Sequence, residues 1–324
     1  MKNPLIDDLD EAGMIPSIEV ALPTLAAFYP KGEVLRPEAD PLAMKVYPLS
    51  VLDESSFRDP LMLLSGQAIG KMVRRVCPGV DDPGKLTDLD VQVIILACRI
   101  ASYGATLKLE HTCSKCQTKT DLQVDLNDHI LRYSPFSPDE LAEFDLDIVE
   151  IGQKIRLRPM LYEDAIDVAM NMVRSNISAE KFDSAHTEDV NQLTDAFIQE
   201  YQAQFESSIK TNIDAICSSI FTVTTTTGKV VNNPDMIKEW FLRLTPNLTK
   251  MITDRITKIN LSIRERSKLA YTCVSCGTEN TFYMELDPQK LFTPAEGSAP
   301  VTNSSAASPT TEKPTKKPSK VSRR

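Results

Sequence analysis

Two Cys-x-x-Cys pairs, Cys113/Cys116 and Cys273/Cys276, constrain this chain more than any other feature, because they stand 160 residues apart in two copies of one pattern. Under that offset Lys108 matches Lys268, Leu109 matches Leu269, Thr112 matches Thr272, Thr118 matches Thr278 and Leu126 matches Leu286. Before the first pair, Leu107-Lys108-Leu109-Glu110 alternates apolar and polar side chains. After it, Leu122-Gln123-Val124-Asp125-Leu126 does the same, and a period of two is that of a strand. Each copy reads as strand, knuckle, strand. The two-residue spacing lets both sulfurs of a pair face one ion while the intervening amides turn toward them, and two such turns complete a tetrahedral four-thiolate shell. The expected metal ligands are therefore Cys113, Cys116, Cys273 and Cys276, and the expected cofactor is zinc. A filled shell leaves no position for water or substrate, so the ion would be structural. It would join Cys113 to Cys276, close the intervening chain into a loop and tie its stability to metal binding. Redox dithiols, knuckles that persist without metal, and an iron–sulfur cluster are the competing readings. A thioredoxin-type pair opens a helix after a strand, whereas these pairs are flanked by strands on both sides, which favours zinc.

The other totals bound the function. Seven cysteines, an odd number spread over 324 residues, fit a reducing compartment, and Cys77, Cys98 and Cys217 sit among apolar neighbours as core thiols. A composition of 42% hydrophobic and 25% charged residues is that of an ordinary globular protein. The formal net charge of −9 repels phosphate backbones and argues against nucleic acid as a partner. No signal-peptide pattern opens the sequence, and the longest apolar run, Val93 to Cys98, falls far short of the ~18–20 residues of a membrane span. A protein made in a cytoplasm, without a membrane-spanning segment, is expected. There is no HExxH, no GxSxG and no dinucleotide fingerprint, and the three histidines are His111, His129 and His186. Gly66 to Lys71 looks like a phosphate loop but is one residue short and lacks the hydroxyl residue after lysine, so it reads as part of a helix. His111 is a spare ligand beside a shell that four cysteines already fill. Neither a catalytic residue nor a small-molecule substrate is expected, and the chain reads as non-enzymatic.

The expected fold class is α+β: a mixed helical body with short antiparallel hairpins and a two-knuckle zinc ribbon joining both halves. Residues 1–60, punctuated by seven prolines from Pro16 to Pro60, form an extended arm with short strands, of the kind that wraps neighbours in an assembly. Residues 61–133 carry a helical segment, a helix capped by Thr87 and the first knuckle. Residues 134–265 are a mainly helical middle region. It holds hairpins at Gly152-Gln153 and Gly228, a helix near Glu163–Arg174, a long helix from Glu188 to Ile216, and one opened by Thr245-Pro246. The long helix carries Leu193, Phe197, Tyr201, Phe205, Ile209 and Ile213 at four-residue spacing, which reads as one apolar face, a core face first and a partner-binding groove as the alternative. Residues 266–292 hold the second knuckle. Residues 293–324 form a Ser/Thr/Pro-rich tail ending in lysines and arginines, too poor in apolar residues to order itself.

Leu22-Pro23 through Phe28-Tyr29-Pro30-Lys31-Gly32, Val46-Tyr47-Pro48-Leu49, and Arg99-Ile100-Ala101-Ser102-Tyr103-Gly104 running into Cys113/Cys116 carry a likeness. The pattern resembles the baseplate hub protein family of T-even-type contractile-tailed bacteriophages, best over residues 22–126. The resemblance implies a structural or assembly protein of the tail baseplate. Its partners would be other baseplate hub and tail proteins, and its places the host cytoplasm during assembly and then the virion tail baseplate. The family's two Cys-x-x-Cys pairs carry over onto Cys113, Cys116, Cys273 and Cys276, and no catalytic residues come with them. The middle region and the tail have no counterpart in it. The rival class is a zinc-ribbon nucleic-acid or polymerase-associated protein, favoured by the knuckles and basic tail and opposed by the acidic body and few aromatics.

Overall fold

The structure, a computed structural model, describes residues 17–30, 32–185, 195–284 and 286–292. The expected disordered tail, the first sixteen residues of the arm, His186 and the beginning of the long helix lie outside the described residues.

Prolines keep the first described stretch out of long helices. β1 (Ile18–Val20) pairs antiparallel with β2 (Met44–Val46), Ile18 opposite Val46. The helix α1 (Val51–Ser56) opens on a capping box in which the Ser50 N–H donates to the Asp53 carboxylate at 2.8 Å. Next come α2 (Pro60–Leu64), capped by Asp59, and α3 (Gln67–Val76). The helical segment expected at the start of residues 61–133 is thus two helices, broken at Gly66. That residue has φ of 68°, and a Cβ on it would lie 1.7 Å from Ile166 Cδ1. Close packing of a later helix, not a phosphate, demands glycine there.

Thr87 caps α4 (Asp88–Tyr103) as expected, its hydroxyl accepting the Asp90 N–H at 3.3 Å. Buried on nearly all sides, α4 is the axis of the body, with β1, β2 and α3 packed on it. The arm departs from expectation here. Leu22, Phe28, Val34 and Val46 are almost wholly buried in the chain's own core, because the arm carries enough large side chains to anchor itself on α4. A polar link reinforces that anchor. The Asp90 carboxylate accepts the Thr24 N–H at 3.2 Å and hydroxyl at 2.5 Å, and the Tyr29 hydroxyl also donates to it.

β3 (Thr106–Thr112) and β4 (Lys119–Asp125) form the first ribbon hairpin, followed by α5 (Leu126–Ile130) and α6 (Pro138–Ala142). A four-stranded antiparallel sheet in the order β5-β6-β7-β8 is built from β5 (Asp145–Ile148), β6 (Gln153–Leu157), β7 (Ile220–Thr224) and β8 (Val230–Val231). Its two outer hairpins turn at Gly152 and Gly228, both at positive φ, where the sequence places them. Between β6 and β7 run α7 (Tyr162–Ala185) and α8 (Asp195–Ser218). They lie in opposite directions, joined by Asn171 to Thr211 at 2.7 Å and Ser175 to Ser208 at 3.1 Å. The apolar stripe on α8 is not one face. Four residues turn a helix by 400°, so each step drifts about 40° around the axis. Ile213 packs against the core, whereas Ile209 and Phe205 have rotated out and are exposed; Leu193 and the side chains of Phe197 and Tyr201 are outside the described set.

The chain continues through α9 (Pro234–Phe241), α10 (Pro246–Glu265), the second ribbon hairpin β9 (Lys268–Thr272) and β10 (Glu279–Tyr283), and α11 (Pro288–Leu291). Thr245 occupies the cap position of α10 without a side-chain cap bond, and Leu248, Ile252, Ile256 and Ile259 form the buried face. The class is α+β, with one continuous apolar cluster reaching from Leu22 to Phe292.

Candidate metal centre

The two hairpins are copies in structure as well as in sequence. In the first, Leu109 opposes Leu122 and Thr112 opposes Lys119; in the second, Leu269 opposes Phe282 and Thr272 opposes Glu279, each position displaced by the same 160 residues. Each knuckle closes with the same bonds. The Cys113 N–H donates to the Thr118 carbonyl at 3.0 Å and the Cys273 N–H to the Thr278 carbonyl at 2.9 Å. The Gln117 and Gly277 N–H groups return to the Cys113 and Cys273 carbonyls, and both residues take positive φ. Thr118 and Thr278 hydroxyls each lie 3.3 Å from the second sulfur of their own pair.

The knuckles meet tip to tip. All four Sγ atoms lie within 4.8 Å of one another, with Cys113 3.7 Å from Cys276 and Cys116 3.6 Å from Cys273. Thiolates about 2.3 Å from one central ion, at the corners of a tetrahedron, stand about 3.8 Å apart. The donor set fits such an ion in number, softness and spacing. The backbone amides of Cys116 and Lys115 turn toward Cys113 and hold its thiol down at about 6, while Thr278 lowers that of Cys276. The knuckle amides thus favour the thiolate form at Cys113; at Cys273 the Cys276 and Ser275 amides pull the same way, but burial and the Cys116 and Cys276 thiols push it up on balance. The other cysteines behave as core. Burial pushes Cys77 and Cys98 up to about 12 and Cys217 to about 11, so they stay as thiols. His111 is not in the cluster. Its Nδ1 lies 3.0 Å from the Tyr271 hydroxyl and its ring stacks on Phe282, which places it in the seam between the two ribbons.

A family model described as T4 bacteriophage base plate protein matches residues 58–293, a span that takes in both knuckles and also the middle region, 134–265, which the sequence resemblance leaves without a counterpart. The chain belongs to that family. No curated protein and no solved structure matches it.

In this baseplate protein two residues beside the centre escaped sequence reasoning. Asn280 crosses from the second ribbon to the first: its Oδ1 accepts the Ser114 N–H at 3.0 Å and hydroxyl at 2.9 Å, and its Nδ2 lies 3.5 Å from Cys113 Sγ. The position equivalent to Asn280 in the first copy is Thr120, whose buried hydroxyl has no partner among the described residues. That asymmetry was the available signal, a polar residue longer than its counterpart. Groups that orient and polarise a metal ligand typically set affinity within a factor of 10 to 100. Asn280→Ala is expected to raise the dissociation constant for the ion by that factor in a competition titration with a chromophoric chelator, leaving the stoichiometry unchanged.

The second is His129, on α5 at the foot of the ribbon. It lines a cleft of about 220 Å³ with Leu122, Val124, Tyr271 and Phe282. The residue is 2% exposed, and neither ring nitrogen has a hydrogen-bond partner among the described residues. Burial, helped by the Arg132 guanidinium, holds its pKa down to about 4. In the unfolded chain it titrates near 6.5. As pH falls through 6.5 the unfolded state takes up the proton first, so stability present above about 6.5 is lost progressively down to about 4. Urea unfolding at pH 7 and pH 4.5 is expected to show wild type losing about 2–3 kcal/mol more than His129→Leu over that interval. Equal losses would show that His129 does not titrate with folding.

Proposed function

We propose that this baseplate protein is a non-enzymatic structural or assembly component of the baseplate hub. It binds other hub and tail subunits while the virion is put together in the host cytoplasm. Cys113, Cys116, Cys273 and Cys276 hold a structural zinc ion that keeps the two ends of its body together. The observation that carries the reading is the family match over residues 58–293, which joins both cysteine pairs and the body to a baseplate family. The chemistry of the cluster agrees with it. Four thiolates complete a shell and leave no open position for turnover, so the ion serves the fold and the surface does the work.

The test is an infection with phage lacking this chain. Heads and unattached tail parts without complete baseplates are expected, with baseplates restored when the full chain is supplied in trans. Complete baseplates in its absence would overturn the reading.

A further inference from the structure

The hairpin of α7 and α8 is polar along its seam and apolar outside. At the sheet end it is fixed to the body, with Ile213 against the core and Ile166 close on Gly66. Farther out the two helices meet through Asn171 and Thr211, and through Ser175 and Ser208. The Oδ1 of Asn171 and the Nε2 of Gln204 are buried there without a partner among the described residues. Met172, Phe205 and Ile209 meanwhile stand 62%, 59% and 44% exposed. A helical pair that is complete by itself puts its apolar side chains in the seam and its amides and hydroxyls in water, so this pair has the character of half a bundle.

Those three side chains face one way. Antiparallel helices are related by a local two-fold axis, so a residue that follows a seam residue emerges on the same side of both. Met172 and Asn176 follow Asn171 and Ser175, Ile209 and Asn212 follow Ser208 and Thr211, and Phe205 lies one turn before Ile209. No charge shares this face. At about 100° per residue, Glu163, Asp167 and Arg174 stand about 140° or more around α7 from Met172, and Glu206, Lys210 and Asp214 about 100° or more around α8 from Phe205. Asp164 accepts the Ser218 hydroxyl. Val173 and Ile177, also exposed, lie about 100° and 140° from Met172 on the outer edge of α7.

We propose that this face is an interface between two copies of the chain, whose hairpins pair face to face as a four-helix bundle. An uncharged face gives an acidic or basic partner nothing to pair with, in a chain whose net charge is −9. The local two-fold makes it read alike from either helix: Met172 and Ile209 stand almost level at its centre, with the amides Asn176 and Asn212 to either side. A face with that symmetry is complementary to itself, as a two-fold dimer requires. Turned over about an axis along the bundle, a second copy lays its α7 on α8 of the first. Met172 of one copy then meets Ile209 of the other, and every neighbouring pair of helices is antiparallel. Phe205 is the aromatic anchor at the edge of that contact. Self-association is an addition to the assembly role and does not depend on it.

The experiment is sedimentation of the purified full chain and its variants. Wild type is expected to be a dimer at about 10 μM. Met172→Lys and Ile209→Glu, made separately, are each expected to weaken the dimer at least about tenfold, since each buries a charge in the interface. Both side chains are exposed in a single copy, so far-ultraviolet circular dichroism should not change. Mixed in equal amounts, the two variants are expected to recover the dimer, because the lysine of one copy then meets the glutamate of the other. Ile177→Lys, an exposed aliphatic outside the face, is expected to leave the dimer intact. A chain that stays monomeric at about 0.1 mM overturns the proposal and leaves the face to another subunit. A dimer that neither substitution weakens, or a mixture that stays monomeric, overturns it as well. Because purified protein is used, failure here leaves the infection test of the assembly role untouched.

Discussion

Cys273→Ser is expected to strip the metal from the protein and to make its stability indifferent to chelator. One thiolate of four is lost, but the consequence is larger than a quarter of the site, because the remaining Cys276 stands opposite Cys113 and the two hairpins lose the ion as a common ligand. A ligand that binds only the folded state stabilises it by about 3–4 kcal/mol when its free concentration is 100 to 1,000 times its dissociation constant. Wild-type protein is expected to lose that much when chelator is added, and Cys273→Ser to start from the lower value and lose nothing further. Cys113→Ser should behave identically, although it lies 160 residues away, and the double substitution should be no worse than either alone. Cys77→Ser, a buried thiol outside the cluster, should keep its metal. Denaturant unfolding with and without chelator reads all of these.

Asp90→Ala is the substitution expected to harm the body most. The carboxylate is fully buried and takes hydrogen bonds from the Thr24 N–H, the Thr24 hydroxyl and the Tyr29 hydroxyl, tying the arm to the first turn of α4. Truncation strands those donors in a site without water, and an orphaned buried donor costs about 1–3 kcal/mol. A total loss of about 3–4 kcal/mol is expected, seen as a fall of roughly 6–12 °C in Tm. Burial also pushes the Asp90 carboxyl above its usual pKa, so the charge itself is held at a penalty that the hydrogen bonds only partly offset. Asp90→Asn keeps one acceptor oxygen and removes the charge, and it should recover more than half of the loss. If Ala and Asn melt together near wild type, the network does not anchor the arm.

The parts of this molecule that were legible beforehand are those written in local covalent spacing. The knuckles could be paired because the repeat offset carries Cys, Thr and Leu in register, and that register is the one the strands adopt. Thr87 before a buried helix and glycines at 152 and 228 name their own caps and turns. What escaped depends on angles and on side chains meeting across long separations. A four-residue stripe looked like one face until its drift around α8 turned Phe205 into solvent. Val51 and Leu52 end exposed while Asp53 is buried, since nothing local shows that Arg75 and Tyr103 would draw the neighbouring carboxylates inward. The arm looked extended and dependent on a neighbour, yet Tyr29 donates to Asp90 on α4 and Phe28 packs on Phe144 and Phe221 of the same chain. Asn280 could be placed opposite Ser114 only after both knuckles had met.

The most direct test of the shared centre is X-ray absorption at the zinc edge on purified full-length protein with metal and chain quantified in the same sample. Four sulfur neighbours at about 2.3 Å around one ion per chain is the expected result. Two sulfurs completed by nitrogen or oxygen, or no bound metal at all, would contradict a centre built from both cysteine pairs.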